Sequence, residues 1–126
     1  MNEQLEENKR IVREWHELAL QKPEEMVAKH LGPNYRQHNP GSADGPEAFI
    51  NTMKWIMQNF PELRMETKRI IAEGDLVAIH SHLILKPGDR GSAVVEIFRL
   101  ENGKIVEHWD VAQEIPETSA NDNTMF

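Results

Sequence analysis

The stretch that most constrains this fold is VVEIFRLENGKIVEHWDVAQEIP at residues 94–116. It reads as two β-strands joined at Asn102-Gly103, a strong hairpin signal because both residues tolerate positive φ. Two registers fit it. A two-residue loop sets Ile97 opposite His108 and Val95 opposite Asp110. A type I turn with a bulge at Gly103 instead pairs Leu100 with Lys104, Phe98 with Val106 and Glu96 with His108. The second is preferred, since Glu101 suits the early turn position and Gly103 the left-handed one. In either register His108 and Asp110 share one face and Trp109 takes the other. A polar pair in so apolar a strand is either a solvated or hydrogen-bonded pair without chemistry, or part of a site.

Helical periodicity precedes the strands. Residues 3–20 carry Leu5, Ile11, Val12, Trp15, Leu18 and Ala19 at the spacing of an amphipathic helix, and His16 is read as facing solvent or the helix edge, with no role. Pro23 opens a short second helix to about His30, which reads as a C-terminal cation, and Leu31-Gly32-Pro33 ends it. Tyr35 to His38 is a brief extended piece. Asp44 is placed to cap a third helix with Pro46 in its first turn. That helix runs to about Phe60, and its apolar set is wider than one stripe, so its far side either packs in the core or covers a cavity. Residues 63–72 and 76–85 are two further strands. On the second of these Leu76, Ala78, His80, His82 and Ile84 share one face, opposite Val77, Ile79, Ser81, Leu83 and Leu85.

Helices followed by strands predict an α+β fold: a curved, cone-shaped antiparallel sheet with the N-terminal helices packed on it around a pocket. A length of 126 residues fits one domain, residues 1–126, with a loosely ordered tail from residue 117. No apolar run nears the ~20 residues of a membrane span, and the start lacks a signal-peptide core, so a cytoplasmic protein is expected. Net charge −7 argues against nucleic acid or anionic membrane as partner. With no cysteine, thiolate catalysis and thiolate metal sites are excluded.

The polar residues expected in the pocket are His38, His80, His82, His108, Asp110 and, in the bulged register, Glu96. A carboxylate with a histidine partner can take a proton from the carbon α to a carbonyl, and a second histidine can donate to the enolate oxygen. The same residue types also ligate metals, but there is no H-E-x-x-H, and His80-x-His82 arises from strand alternation alone. The expectation is therefore no metal. Neither a G-x-S-x-G nor a glycine-rich phosphate loop is present.

YRQHNP, DGPEAF, VAIHSHL and above all EIFRLENGKIVEHWDVAQEIP resemble the SnoaL-like polyketide cyclase family within the nuclear transport factor 2-like superfamily. The resemblance implies an α+β barrel, usually dimeric, without metal or organic cofactor. In characterised cyclases of this kind an Asp on the last strands is the acid/base of an intramolecular aldol condensation. Asp110 matches that position, with His108 beside it, and His38 and His80 resemble pocket-lining polar positions. The expected roles follow: Asp110 as base, His108 as its orienter or partner acid, and His38 and His80 as oxyanion stabilisers. His82, Glu96, Phe98, Tyr35, Trp55 and Met53 would contact the substrate. The expected ligand is a small hydrophobic carbonyl compound, bound by a homodimer formed through the outer sheet face. That face is read as Ile97, Arg99, Ile105, Glu107, Trp109 and Val111, extended by Val77, Ile79 and Leu83. The rival reading is a dimeric binding module without catalysis.

Overall fold

The computed structural model describes residues 2–126. Three helices, α1 (Asn2–Leu18), α2 (Pro23–His30) and α3 (Pro46–Asn59), accompany five strands. The strands are β1 (Leu31–Gln37), β2 (Arg64–Glu73), β3 (Leu76–Ile84), β4 (Ser92–Glu101) and β5 (Lys104–Glu114). They form one sheet in the order β1-β5-β4-β3-β2. The fold is α+β, as expected. The sheet is mixed, however, because β1 runs parallel to β5 while the other pairs are antiparallel.

Ile11 and Val12 of α1, with Trp15 one helical turn on, share one buried cluster with Val77 and Ile79 of β3 and Phe98 and Leu100 of β4. Pro46 starts α3 with the fixed φ that a first turn accepts, after Gly45 as N-cap. Asp44 does not cap this helix; its Oδ1 accepts the Gln37 backbone N–H at 2.7 Å and ties the loop to β1. His30 is not an exposed terminal cation. It is buried, 3.2 Å from Glu14 of α1, and burial lowers its proton affinity against the pull of Glu14. Among the described residues no helix is long and apolar enough to cross a membrane.

The β4–β5 hairpin has neither expected register. Its turn is the two-residue one, with Asn102 and Gly103 both at positive φ (51° and 78°) and Glu101 opposite Lys104. The register then shifts: Leu100 faces Ile105, but Arg99 faces Glu107, so Val106 is an extra residue on β5. Beyond this bulge Phe98 lies opposite His108 and Glu96 opposite Asp110. The bulge lets Ile105 and His108, three apart in sequence, both point to the helix side, where both are buried. Gly32 on β1 makes room for it: a Cβ there would stand 2.9 Å from Val106 Cγ1.

The face assigned to β3 is reversed. Val77, Ile79 and Ser81 are fully buried beneath the helices, and His80 and His82 point outward. Ile105 also belongs to the core and not to the outer face.

Candidate active site

Between the helices and the sheet lies a cavity of about 340 Å³. Its walls are apolar, built from Trp15 and Leu20, from Phe49, Met53 and Ile56 of α3, and from Met65, Leu83 and Val94 of the sheet. Its polar lining comes chiefly from three neighbouring strands and α1: Tyr35 and Gln37 on β1 with Asn39 just after it, Glu96 on β4, His108 and Asp110 on β5, and His16. Strand alternation explains the set, since residues two apart share a face.

Each polar group is held by another. Gln37 Oε1 accepts the Asn39 backbone N–H at 3.1 Å, which fixes which end of its amide is the oxygen. That oxygen faces His108 Nδ1 at 2.7 Å, and the Gln37 amide nitrogen donates to the Tyr35 hydroxyl at 3.0 Å. His108 Nε2 faces Glu96 Oε2 at 2.8 Å. Both ring nitrogens therefore meet acceptors, an arrangement that the doubly protonated imidazolium satisfies. Asn39 donates to Asp110 Oδ1 at 2.9 Å, while its own oxygen accepts from Gly41 N–H at 2.8 Å. Asp110 Oδ2 stands 4.0 Å from His108 Nε2.

Burial favours the protonated form of Glu96, but hydrogen bonds and charge from His108 and His16 outweigh it and hold this carboxyl at about 2. Burial, reinforced by the charges of Glu96 and Asp110, pushes the Tyr35 phenol well above its usual value. Tyr35 therefore remains an O–H donor. Its oxygen accepts from Gln37, which leaves the hydroxyl hydrogen available as a donor.

Of the expected site residues, Asp110, His108, Glu96, Tyr35 and Met53 line the cavity. Phe98 does not; it is buried behind His108, ring centroids 4.9 Å apart. His38 points to the opposite sheet face, where it stacks on Trp109 and pairs with Glu107 at 2.6 Å. Tyr35 and His38 are three apart and cannot share a face of a regular strand. His80 contacts Arg69 and the Phe126 ring, also on the outer face. His82 stacks on Phe126 and bonds the Arg90 carbonyl at 2.7 Å. Trp55 is on the solvent side of α3, 58% exposed.

His16, Gln37 and Asn39 enter the site without having been expected there. Gln37 and Asn39 were legible from their two-residue spacing from Tyr35. His16 was legible too: it sits one helical turn after Val12, at the edge of the buried stripe.

Glu96, His108 and Asp110 also offer two oxygens and a nitrogen within 4.8 Å of one another, a donor set that divalent cations accept. A cation would have to replace the direct Glu96–His108 hydrogen bond.

The model of a family described as SnoaL-like domain matches residues 12–108. Solved structures share the fold. AclR, a candidate hydroxylase from Streptomyces galilaeus, is 26% identical, with 86% of this chain and 90% of that one covered, at a TM-score of 0.70. A candidate polyketide cyclase from Bacillus cereus is 18% identical, covering 84% and 74%, at 0.73. A candidate SnoaL-like isomerase from Agrobacterium tumefaciens is 17% identical, covering 85% and 97%, at 0.71. Among curated proteins nothing matches.

Proposed function

This chain belongs to the SnoaL-like domain family, and from that membership and the build of its cavity we propose that it is an acid/base enzyme acting on a small, neutral, hydrophobic carbonyl compound. One observation carries the reading. The carboxylate of Asp110, oriented by Asn39, stands at the polar end of an apolar cavity beside a histidine whose two nitrogens both face acceptors. Among the described residues no Lys or Arg lines the cavity, and its two histidines, His16 and His108, are taken up by Glu96, so no free cation is left to hold an acid or a phosphate. Its volume is at the small end of the roughly 300–1,000 Å³ usual for ligand sites.

In this reading Asp110 takes a proton from the carbon α to the carbonyl. The C–H electron pair moves into the enolate, and charge builds on the carbonyl oxygen. The Tyr35 O–H and the cationic His108 ring oppose that charge. The enolate carbon then either attacks a second carbonyl of the same molecule, forming a C–C bond as that carbonyl's π pair moves onto its oxygen and takes the proton back from Asp110, or, where the enolate is conjugated with a C=C bond, Asp110 returns the proton to the far carbon of that system. The first outcome is the aldol cyclisation of a polyketide cyclase, the second an isomerisation. Neighbours named for both, and for a hydroxylase, indicate how far one fold serves several reactions.

The test is hydrogen exchange in deuterium oxide, followed by NMR, on a panel of neutral hydrophobic ketones and esters. Protein-dependent loss of α-hydrogen signal from any of them is the expected result. Ligands that bind but keep their α-hydrogens throughout would leave the non-catalytic binding module as the function.

The homodimer belongs to this proposal. On the outer sheet face Ile71 is 62% and Val111 72% exposed, with Val95 directly opposite Val111. The Phe126 ring covers His80 and His82 but leaves these residues open. A second copy packed about a twofold axis would cover them. Light scattering should give a dimer for the wild type and a monomer for Val111→Glu; a monomeric wild type at micromolar concentration removes this part.

A further inference from the structure

His16 has no part in the chemistry above, yet three strands supply polar groups to its ring. The side chain is only 5% exposed. Nδ1 is 3.2 Å from Thr67 Oγ1 on β2, and Nε2 is 3.2 Å from Ser81 Oγ on β3 and 3.1 Å from Glu96 Oε1 on β4. Ser81 is wholly buried in a strand face otherwise made of Val77, Ile79 and Leu83. A hydroxyl in that setting is costly without a partner, and its partner is His16.

The partners decide the proton's position. A carboxylate only accepts, whereas a hydroxyl donates or accepts. A proton on Nε2 therefore serves Glu96 Oε1 and Ser81 together, while Nδ1 faces the Thr67 hydroxyl, which suits it with or without a proton. The opposite tautomer would set a lone pair against the carboxylate. His16 thus differs from His108, whose two nitrogens both face acceptors. Glu96 is the carboxylate between them. Its Oε1 is also the one buried side-chain polar atom among the described residues without a well-angled hydrogen bond, so His16 Nε2 is the donor nearest to completing it.

We propose that His16 is a positioning residue: it holds Glu96 from the side opposite His108, keeping Oε2 on His108 Nε2 and so keeping that ring fixed beside Asp110. The role of His108 in the chemistry rests on the function proposed above; its hydrogen bonding does not, and can be read without a substrate. Without a donor at residue 16, Oε1 lies buried and bare. Glu96 then turns Oε1 toward His108 or takes up a proton, and either change loosens the Oε2 contact.

The experiment uses protein labelled with ¹⁵N at histidine, the His108 ring being assigned by its loss in His108→Gln. Wild type should show the Nε2 hydrogen of His108 held in its bond to Glu96. His16→Gln, whose amide nitrogen falls near the Nε2 position, should keep this signature. His16→Leu should lose the Nε2 hydrogen signal of His108 while the amide spectrum stays native. Should the Leu variant not fold, His16→Asn, whose donor falls short of Glu96, is expected to lose the signal in the same way. A His108 signature unchanged in the Leu or Asn variant overturns the proposal, whatever the exchange assay finds. Where exchange is measurable, the Leu variant should be slower by about tenfold, the worth of one hydrogen bond to a charged group, with Gln restoring most of it.

Discussion

β3 and β5 each carry two polar residues at a two-residue spacing, His80 with His82 and His108 with Asp110, and the sheet sends the pairs to opposite sides. His108 and Asp110 enter a cavity where Gln37, Asn39 and Glu96 hold them. His80 and His82 lie outside, against Phe126, Arg69 and the Arg90 carbonyl. Spacing within a strand says which residues share a face. It does not say which face is inside. That is fixed by pairing with the neighbour, where one residue more or less inverts every side chain. On β5 the inversion comes from the bulge at Val106. On β3 it comes from the connection to β4, which sets Leu83 opposite Ser92 and hence Ile79, not His80, opposite Glu96.

The largest effect is expected on the inward pair. Asp110→Asn keeps the size of the side chain and removes its capacity to take a proton. α-Hydrogen exchange should fall by about 10²–10⁴-fold, the usual worth of a general base, with little change in thermal unfolding. His108→Ala should cost less, since it supports the charge without accepting the substrate's proton. Exchange by Asp110→Asn at the wild-type rate, on a substrate the wild type turns over, would take the base out of the mechanism and the chemical weight out of the inward face.

Much of this was legible in the residues. Helix periodicity, the prolines that open α2 and α3, and the Asn102-Gly103 turn place every helix and the hairpin, because each depends on neighbours a few positions away. The inward pair was legible because bulge and turn together restore the parity that puts His108 and Asp110 on the face of Glu96. His80 and His82 were not, since a seven-residue connection leaves the parity of the β3–β4 pairing open. The more apolar β3 face, with Val77, Ile79 and Leu83, was the better guide to the inside. The parallel docking of β1 on β5 was also hidden, because nothing local specifies a partner far along the chain. Gly32, where a side chain would press on Val106, is its trace in the sequence.

A middle-sized effect sharpens the inward side of the comparison through acid stability. Glu96 has an ordinary value of 4.5 and is held at about 2 in the folded protein. The unfolded chain thus takes up this proton first as pH falls. The stability that Glu96 contributes is complete above about pH 4.5 and is lost as pH drops toward 2, on the order of 3 kcal/mol in all. In urea unfolding between pH 7 and 2, Glu96→Gln should be less stable at neutral pH and lose less across that window than the wild type. Parallel curves for the two proteins would mean that the folded chain does not hold Glu96 ionised.

The smallest effect is expected on the outward pair, and it is the most direct way to break the comparison. The double variant His80→Ala, His82→Ala removes the contact with Arg69, the Phe126 stacking and the bond to the Arg90 carbonyl. None of these groups lines the cavity that holds His108 and Asp110. The loosened contacts lie at the surface, where a substitution rarely costs more than about 1 kcal/mol. Exchange rate and ligand affinity should stay within about twofold of wild type, since no hydrogen bond to the reacting atoms changes. A loss comparable to that of Asp110→Asn, in a double variant that unfolds at the wild-type temperature, would mean that the outer face takes part in the chemistry. The contrast between the two strands would then have to be given up.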